Sequence, residues 1–160
     1  MQQPIIIQEA KSDKDILIAE HFYKMWIDIG IPEDAIEDNW QEIILQFIDN
    51  ARQNLFYKSF LAEISGAIVA SISCQIYVGL YPTVIKSNYR HFGYIWGVYV
   101  EPQYRRQGIA KKLTNTAVEY LKTIGCTRVI LNASPLGKPV YQNLGFLESN
   151  VMHLDLIESK

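Results

Sequence analysis

Two groups of residues have the types and spacing to do chemistry. The first is Arg105-Arg106-Gln107-Gly108-Ile109-Ala110, with Lys111 and Lys112 directly after it. Basic side chains here crowd a glycine where apolar residues begin to recur at helical spacing (Ile109, Leu113, Ala117, Tyr120, Leu121, Ile124). The first turn of a helix carries backbone N–H groups with no partner inside the helix, at the positive end of its dipole. A glycine leaves those groups open to a ligand, so the stretch can hold a phosphate or pyrophosphate. A solvated basic face with a glycine easing a turn is the plainer reading, and the turn alone does not decide between them. The second group is Tyr141, with Asn132 and Ser134 shortly before it. A phenol is a proton or hydrogen-bond donor with a reference pKa of about 10, although a tyrosine there can equally pack.

These groups need rigid supports. Phe92–Val100 is an apolar, aromatic run ended by Glu101-Pro102, which makes it a strand feeding the turn and the helix. Arg128–Asn132 is nearly continuous apolar sequence, as in a buried parallel strand. Pro139–Leu144, stopped by Gly145, is expected as a short helix with Tyr141 on it. Upstream, Ile5–Glu9 is a short strand. Ile18, Phe22, Met25, Trp26 and Ile29 mark one face of a helix, and Trp40, Ile43, Ile44, Phe47, Ile48 and Ala51 mark another. Ser12 and Asp15 have the capping-box pattern for the first, and Asn39 offers a cap for the second. Leu55–Ile64, the turn Ser65-Gly66 and Ala67–Val78 form a hairpin; Gly79–His91 is a long connection, and Phe146–Leu156 is expected as a final strand, with a break at Ser149-Asn150.

The string Val98–Arg105 (V-x-V-x-P-x-Y-R) runs into R-x-x-G-x-A at Arg105, Gly108 and Ala110. Downstream come Leu131-Asn132-Ala133-Ser134 and Tyr141-Gln142-Asn143-Leu144-Gly145-Phe146. In content, order and spacing these resemble the GNAT superfamily of N-acetyltransferases, whose acyl-CoA signature is Q/R-x-x-G-x-G/A. The likeness is good over residues 56–157 and holds in outline before that. It implies an α/β (α+β) mixed sheet, mostly antiparallel, with a parallel, splayed pair formed by the fourth and fifth strands, and about four helices. It implies attack of an amine on the thioester of acetyl-CoA as co-substrate. Backbone groups of Arg106, Gln107, Gly108, Ile109 and Ala110 would hold the pyrophosphate, with Arg105 beside them. Main-chain groups of Val98, Tyr99 and Val100 would pair with the pantetheine arm, and the Val98 N–H would polarise the carbonyl. Tyr141 would serve as general acid toward the sulfur, and Asn132 and Ser134 would contact the pantetheine. Lys138 would reach the phosphates or only solvent. The splay calls for a bulge, with which Gly93 and Gly97 are both compatible.

No carboxylate lies in Phe92–Val100, where many relatives carry a glutamate, so the base stays open: Glu63, His91, a water chain, or an amine that arrives neutral. Tyr94 and Trp96 share strand parity and either face the acceptor or pack. Seven acids (Asp28, Glu33, Asp34, Glu37, Asp38, Glu42, Asp49) fall between Met25 and Ala51 with no Lys or Arg among them. They are a solvated surface or an attraction for a cationic amine.

At 160 residues the chain is expected to be a single domain, 1–160, with 49% hydrophobic and 20% charged residues. A net charge of −2 argues against nucleic-acid binding. No apolar run is long enough for a membrane span. His21, His91 and His153 lack metal-ligand spacing, and no metal is expected. Two cysteines and no signal-like N-terminus point to the cytoplasm. The resemblance implies a small-molecule or peptide amine as partner, a homodimer is an open expectation, and a non-catalytic acyl-CoA sensor on the same fold is the alternative function.

Overall fold

A computed structural model describes residues 2–157. The strands β1 (Ile6–Ala10), β2 (Lys58–Ile64), β3 (Ala67–Ile76), β4 (Phe92–Val100) and β5 (Arg128–Leu131) form one sheet in the order β1-β2-β3-β4-β5. The first three pairings are antiparallel and β4 runs parallel to β5, as the resemblance implies. The helices are α1 (Asp15–Asp28), α2 (Trp40–Asn54), α3 (Ile109–Thr123) and α4 (Lys138–Asn143).

Strand alternation gives the sheet two apolar faces. One packs on α3, where Ile72, Cys74 and Ile95 meet Ile109, Leu113, Ala117 and Leu121. The other packs on α1 and α2, where Tyr57, Leu61 and Trp96 meet Ile18, Ala19, Ile44, Ile48 and Ala51. Burying one leucine of this kind contributes about 1.5–3 kcal/mol, so the apolar stripe of α3 is what fixes its first turn against β4. Gly93 permits the close approach: a Cβ there would lie 2.8 Å from Leu121 Cδ1.

β4 changes parity midway. Ser73 pairs with Trp96, but Ser71 pairs with Tyr99, so β4 spends one residue more than β3 over the same span. The extra residue is accommodated at Gly97, whose φ of +63° is the left-handed region that glycine enters without strain. Before the bulge Tyr94 and Trp96 face α1 and α2; beyond it Val98 and Val100 face the α3 side, and Tyr99 packs on His21. Of the two glycines compatible with a bulge, Gly97 makes it and Gly93 serves helix packing.

Several local expectations are corrected. No strand forms from Phe146 to Leu156; beyond α4 the chain carries Leu147, Met152, Leu154 and Leu156 at 82–93% exposure. Their alternation suits a strand, but a strand needs a ladder, and β5 pairs only with β4 among the described residues. Ser12 and Asn39 make no capping bond; a 3-10 turn over Ser12–Lys14 leads into α1 instead. Among the described residues no helix is long and apolar enough to cross a membrane.

Candidate active site

β4 and β5 pair only from Phe92↔Arg128 to Ile95↔Leu131. Past that point the strands part, and the bulge at Gly97 carries β4 away from β5. A cavity of about 490 Å³ fills the splay. Its β4 wall is Tyr94 to Val98, its β5 wall is Leu131 to Ser134, and Tyr141 closes one end. On the far side stand Phe22, Met25 and Trp26 of α1 and Ile29 just after it, with Ile43, Ile44 and Phe47 of α2. The sheet thus brings Val98, Asn132, Ser134 and Tyr141 to one place, with Tyr94 and Trp96 beside them.

Tyr141 is 8% exposed, and burial alone pushes the pKa of its phenol up to about 12. It therefore stays protonated through the physiological range and is available as a donor. Its ring meets Phe146 edge-on (centroids 5.8 Å apart, 64° between planes). Asn132 Nδ2 donates to the Tyr94 hydroxyl (3.3 Å), and Ser134 Oγ accepts from Gly137 N–H (3.1 Å), steadying the turn into α4.

At the start of α3, Gly108 sits at φ +79° and a Cβ on it would meet nothing within 4 Å. The first α3 amide to reach a carbonyl across the helix start is that of Lys112, on Gly108 O (3.1 Å). Among the described residues the amides of 106–111 have no backbone acceptor. Arg106 also has positive φ (62°), so successive N–H groups turn toward one side, a concavity suited to an anion. Arg106, Lys111 and Lys112, which flank Gly108 in the chain, have exposed side chains. Arg105 is differently employed. Its Nε donates to Val100 O (2.8 Å) and its guanidinium pairs with Asp28 at the end of α1, so it ties the turn to that helix. Lys138 pairs with Glu148.

Neither candidate base reaches the cavity. Glu63 lies on β2 opposite Ile6 and accepts from Gln8 Nε2 (3.1 Å). His91 is bound through its main chain to Thr127 at the far end of β4. None of the seven acids lines this cavity either: Asp28 is held by Arg105, Glu42 by Gln46 and Asp49 by Gln53.

A polar cluster that the sequence did not suggest lies behind the bulge. His21, 3% exposed, shares a hydrogen bond with Ser71 Oγ (2.8 Å) and faces Glu101 (3.6 Å). Burial outweighs the Glu101 carboxylate and lowers its pKa to about 4, so it is neutral at pH 7. Its partners come from β3 and from the end of β4, and no sequence spacing marks such a set.

The geometry has known counterparts. The chain is 35% identical over 106 residues to a glucosamine 6-phosphate N-acetyltransferase of Trypanosoma brucei brucei, covering 66% of this chain and 69% of that one. A predicted acetyltransferase of Clostridium acetobutylicum, solved with acetyl-CoA, superposes with a TM-score of 0.80 at 25% identity, covering 96% of this chain and 97% of that one. A GCN5-related N-acetyltransferase of Ralstonia eutropha gives 0.77 at 22% identity over 96% and 99% of the two chains. The sequence profile of the acetyltransferase (GNAT) family matches residues 17–146, from the first turn of α1 to just past α4. With that match, the splayed β4–β5 pair and the open start of α3, the chain belongs to the GNAT family of acetyltransferases and is an acyltransferase.

Proposed function

We propose that the protein transfers the acetyl group of acetyl-CoA to a primary amine by direct attack within a ternary complex. The observation that carries this reading is the bulge at Gly97, which opens the sheet so that the Val98 edge and Tyr141 line one cavity. The residues fit the co-substrate. Unpartnered amides at 106–110 suit the diphosphate, and the β5-facing edge of Val98 to Val100 suits a pantetheine arm laid down as an extra strand. Arg105 contributes by bracing that turn on Asp28.

In the reaction the nitrogen lone pair forms a bond to the carbonyl carbon while the C–S bond breaks. The Val98 N–H stabilises the oxygen as it gains charge. Tyr141 donates a hydrogen bond to the departing sulfur, and Asn132 and Ser134 orient the arm. The nitrogen's surplus proton ends on the thiol.

Residues 1–160 act as a single domain. Cys74 and Cys126 are unpaired, which suits a cytoplasmic protein. Among the described residues β5 pairs only with β4, and that open edge, with the exposed alternating residues near Leu154, favours a homodimer. The test is thiol release from acetyl-CoA in the presence of primary amines, together with calorimetric titration of CoA. Amine-dependent release with saturable CoA binding is expected; absence of CoA binding refutes the proposal. Light scattering of the full chain checks the dimer, which a monomer at high concentration would overturn.

A further inference from the structure

The acceptor side of the cavity is hydrocarbon. Phe22, Trp26, Ile29, Ile43 and Phe47 bound it, and Trp96 forms the floor. Phe22 and Phe47 both meet the Trp96 ring edge-on, at 5.2 and 5.3 Å. The one polar atom of that indole is spent: Trp96 Nε1 donates to Gln75 Oε1 (2.9 Å), which leaves carbon facing the cavity. Among the described residues the lining holds no Asp, Glu, Lys, Arg or His. Trp26, Ile29, Ile43 and Phe47 keep 39–49% of their surface in contact with solvent, although they sit on, or directly cap, amphipathic helices that bury other apolar residues completely. A contiguous apolar surface left open around a cavity marks what the cavity takes. A second space of about 310 Å³ shares Phe22, Trp26, Ile43 and Ile44 with the first and lengthens the trough; Glu37 borders only this outer part.

Resting on the acetyltransferase reading above, we infer that the acceptor is a primary amine carried on an aromatic or aliphatic hydrocarbon body, such as an aralkylamine. A phosphosugar would set a phosphate against rings and methyl groups with no cation to meet it, and a polycation would find no carboxylate in the chamber. The same wall settles the amine's proton. An alkylammonium has a pKa of about 10.4 by analogy with lysine, and apolar surroundings disfavour the charged form. Among the described residues no base lines the cavity, so the nitrogen enters neutral and its lone pair attacks. The N–C bond forms, the C–S bond breaks, and the extra proton on nitrogen passes to sulfur through water or the Tyr141 hydroxyl. The products are the N-acetylated amine and the CoA thiol. kcat/KM for such an amine rises about tenfold per pH unit until the amine's own pKa is reached.

The experiment measures kcat/KM of the full chain with acetyl-CoA and five probes: 2-phenylethylamine, tryptamine, glucosamine 6-phosphate, spermidine and kanamycin. CoA affinity is measured by calorimetry in parallel. The two aralkylamines are expected to exceed the other three by about 100-fold. Hydrocarbon contacts in an apolar pocket shift discrimination by roughly 10–200-fold, so Phe47→Glu should lower the tryptamine value by tenfold or more with CoA affinity unchanged. Ile43→Gln, at another half-exposed position, should act in the same direction. Preference for the phosphosugar or either polycation overturns the inference and leaves the acetyltransferase reading intact. Full tryptamine turnover in both variants, or CoA binding with no amine acetylated, overturns it as well. Loss of CoA binding in the unmodified protein overturns both.

Discussion

Replacing Tyr141 by phenylalanine removes one oxygen and keeps the ring. The edge contact with Phe146 survives, and the lost hydroxyl is nearly buried, so stability should change by less than about 1 kcal/mol. The reaction should feel it far more. With the phenol pushed up to about 12 and a thiol near 8.5, complete proton transfer to the thiolate is uphill by ~3.5 pKa units, about 5 kcal/mol. In the proposed mechanism the hydroxyl is therefore a hydrogen-bond donor to developing charge, a bond of about 1.5–3 kcal/mol. That corresponds to a loss of roughly 10- to 150-fold in the chemical step. Single-turnover rates at saturating acetyl-CoA and amine measure this step without interference from product release, and calorimetry gives CoA affinity alongside. A rate loss within that range, with affinity unchanged within about twofold, is expected. A rate loss under twofold, or a loss confined to affinity, would show that Tyr141 only packs.

Other perturbations test the supports. Gly97→Ala places a side chain at φ +63° and should cost about 1–2 kcal/mol by urea denaturation, with weakened CoA binding; an unchanged midpoint would mean the bulge relaxes freely. Gly93→Ala drives a Cβ against Leu121 and should destabilise by ~1–3 kcal/mol; a stability gain would contradict the close packing of α3 on β4. His21 has a folded pKa of about 4 against an ordinary 6.5, so its neutral form favours folding above pH 6.5, and that stability is lost as pH falls through 4. The difference is worth about 3 kcal/mol. Denaturation at pH 7 and pH 4.5 should show His21→Gln losing less than the wild type, and equal losses would remove His21 as the source.

The parts of the fold written in local periodicity were legible in the chain. The stripe Ile109, Leu113, Ala117, Leu121 sets α3, and the β4 limits at Phe92 and Val100 follow from the polar residues that flank them. Gly108 stands out through the R-x-x-G-x-A spacing it shares with Arg105 and Ala110; the turn by itself leaves a solvated basic face as the plainer reading. What needed the structure is contact between distant segments. The α1 stripe reads as one core-facing surface, yet Ile18 packs fully while Trp26 and Ile29 border an open cavity, and nothing in the spacing separates the two fates. Arg105 and Asp28 are far apart in sequence, so an arginine that looks free at a basic turn proves to be a brace. Glu63 and His91 were candidates by residue type alone, and topology sends both elsewhere. The alternating apolar residues from Met152 to Leu156 show the opposite failure: the pattern suits a strand and the ladder is missing.

The central claim is that the opening turn of α3 and the splayed edge of β4 receive acyl-CoA. Titrating CoA into isotope-labelled protein and following backbone amide resonances tests it directly. The amides of 106–110 and of Val98 should show the largest shifts and saturate together, and Gly108→Glu should abolish them while the protein stays folded. Saturable binding that leaves those amides unmoved, or undiminished affinity in the Gly108→Glu protein, would contradict the account.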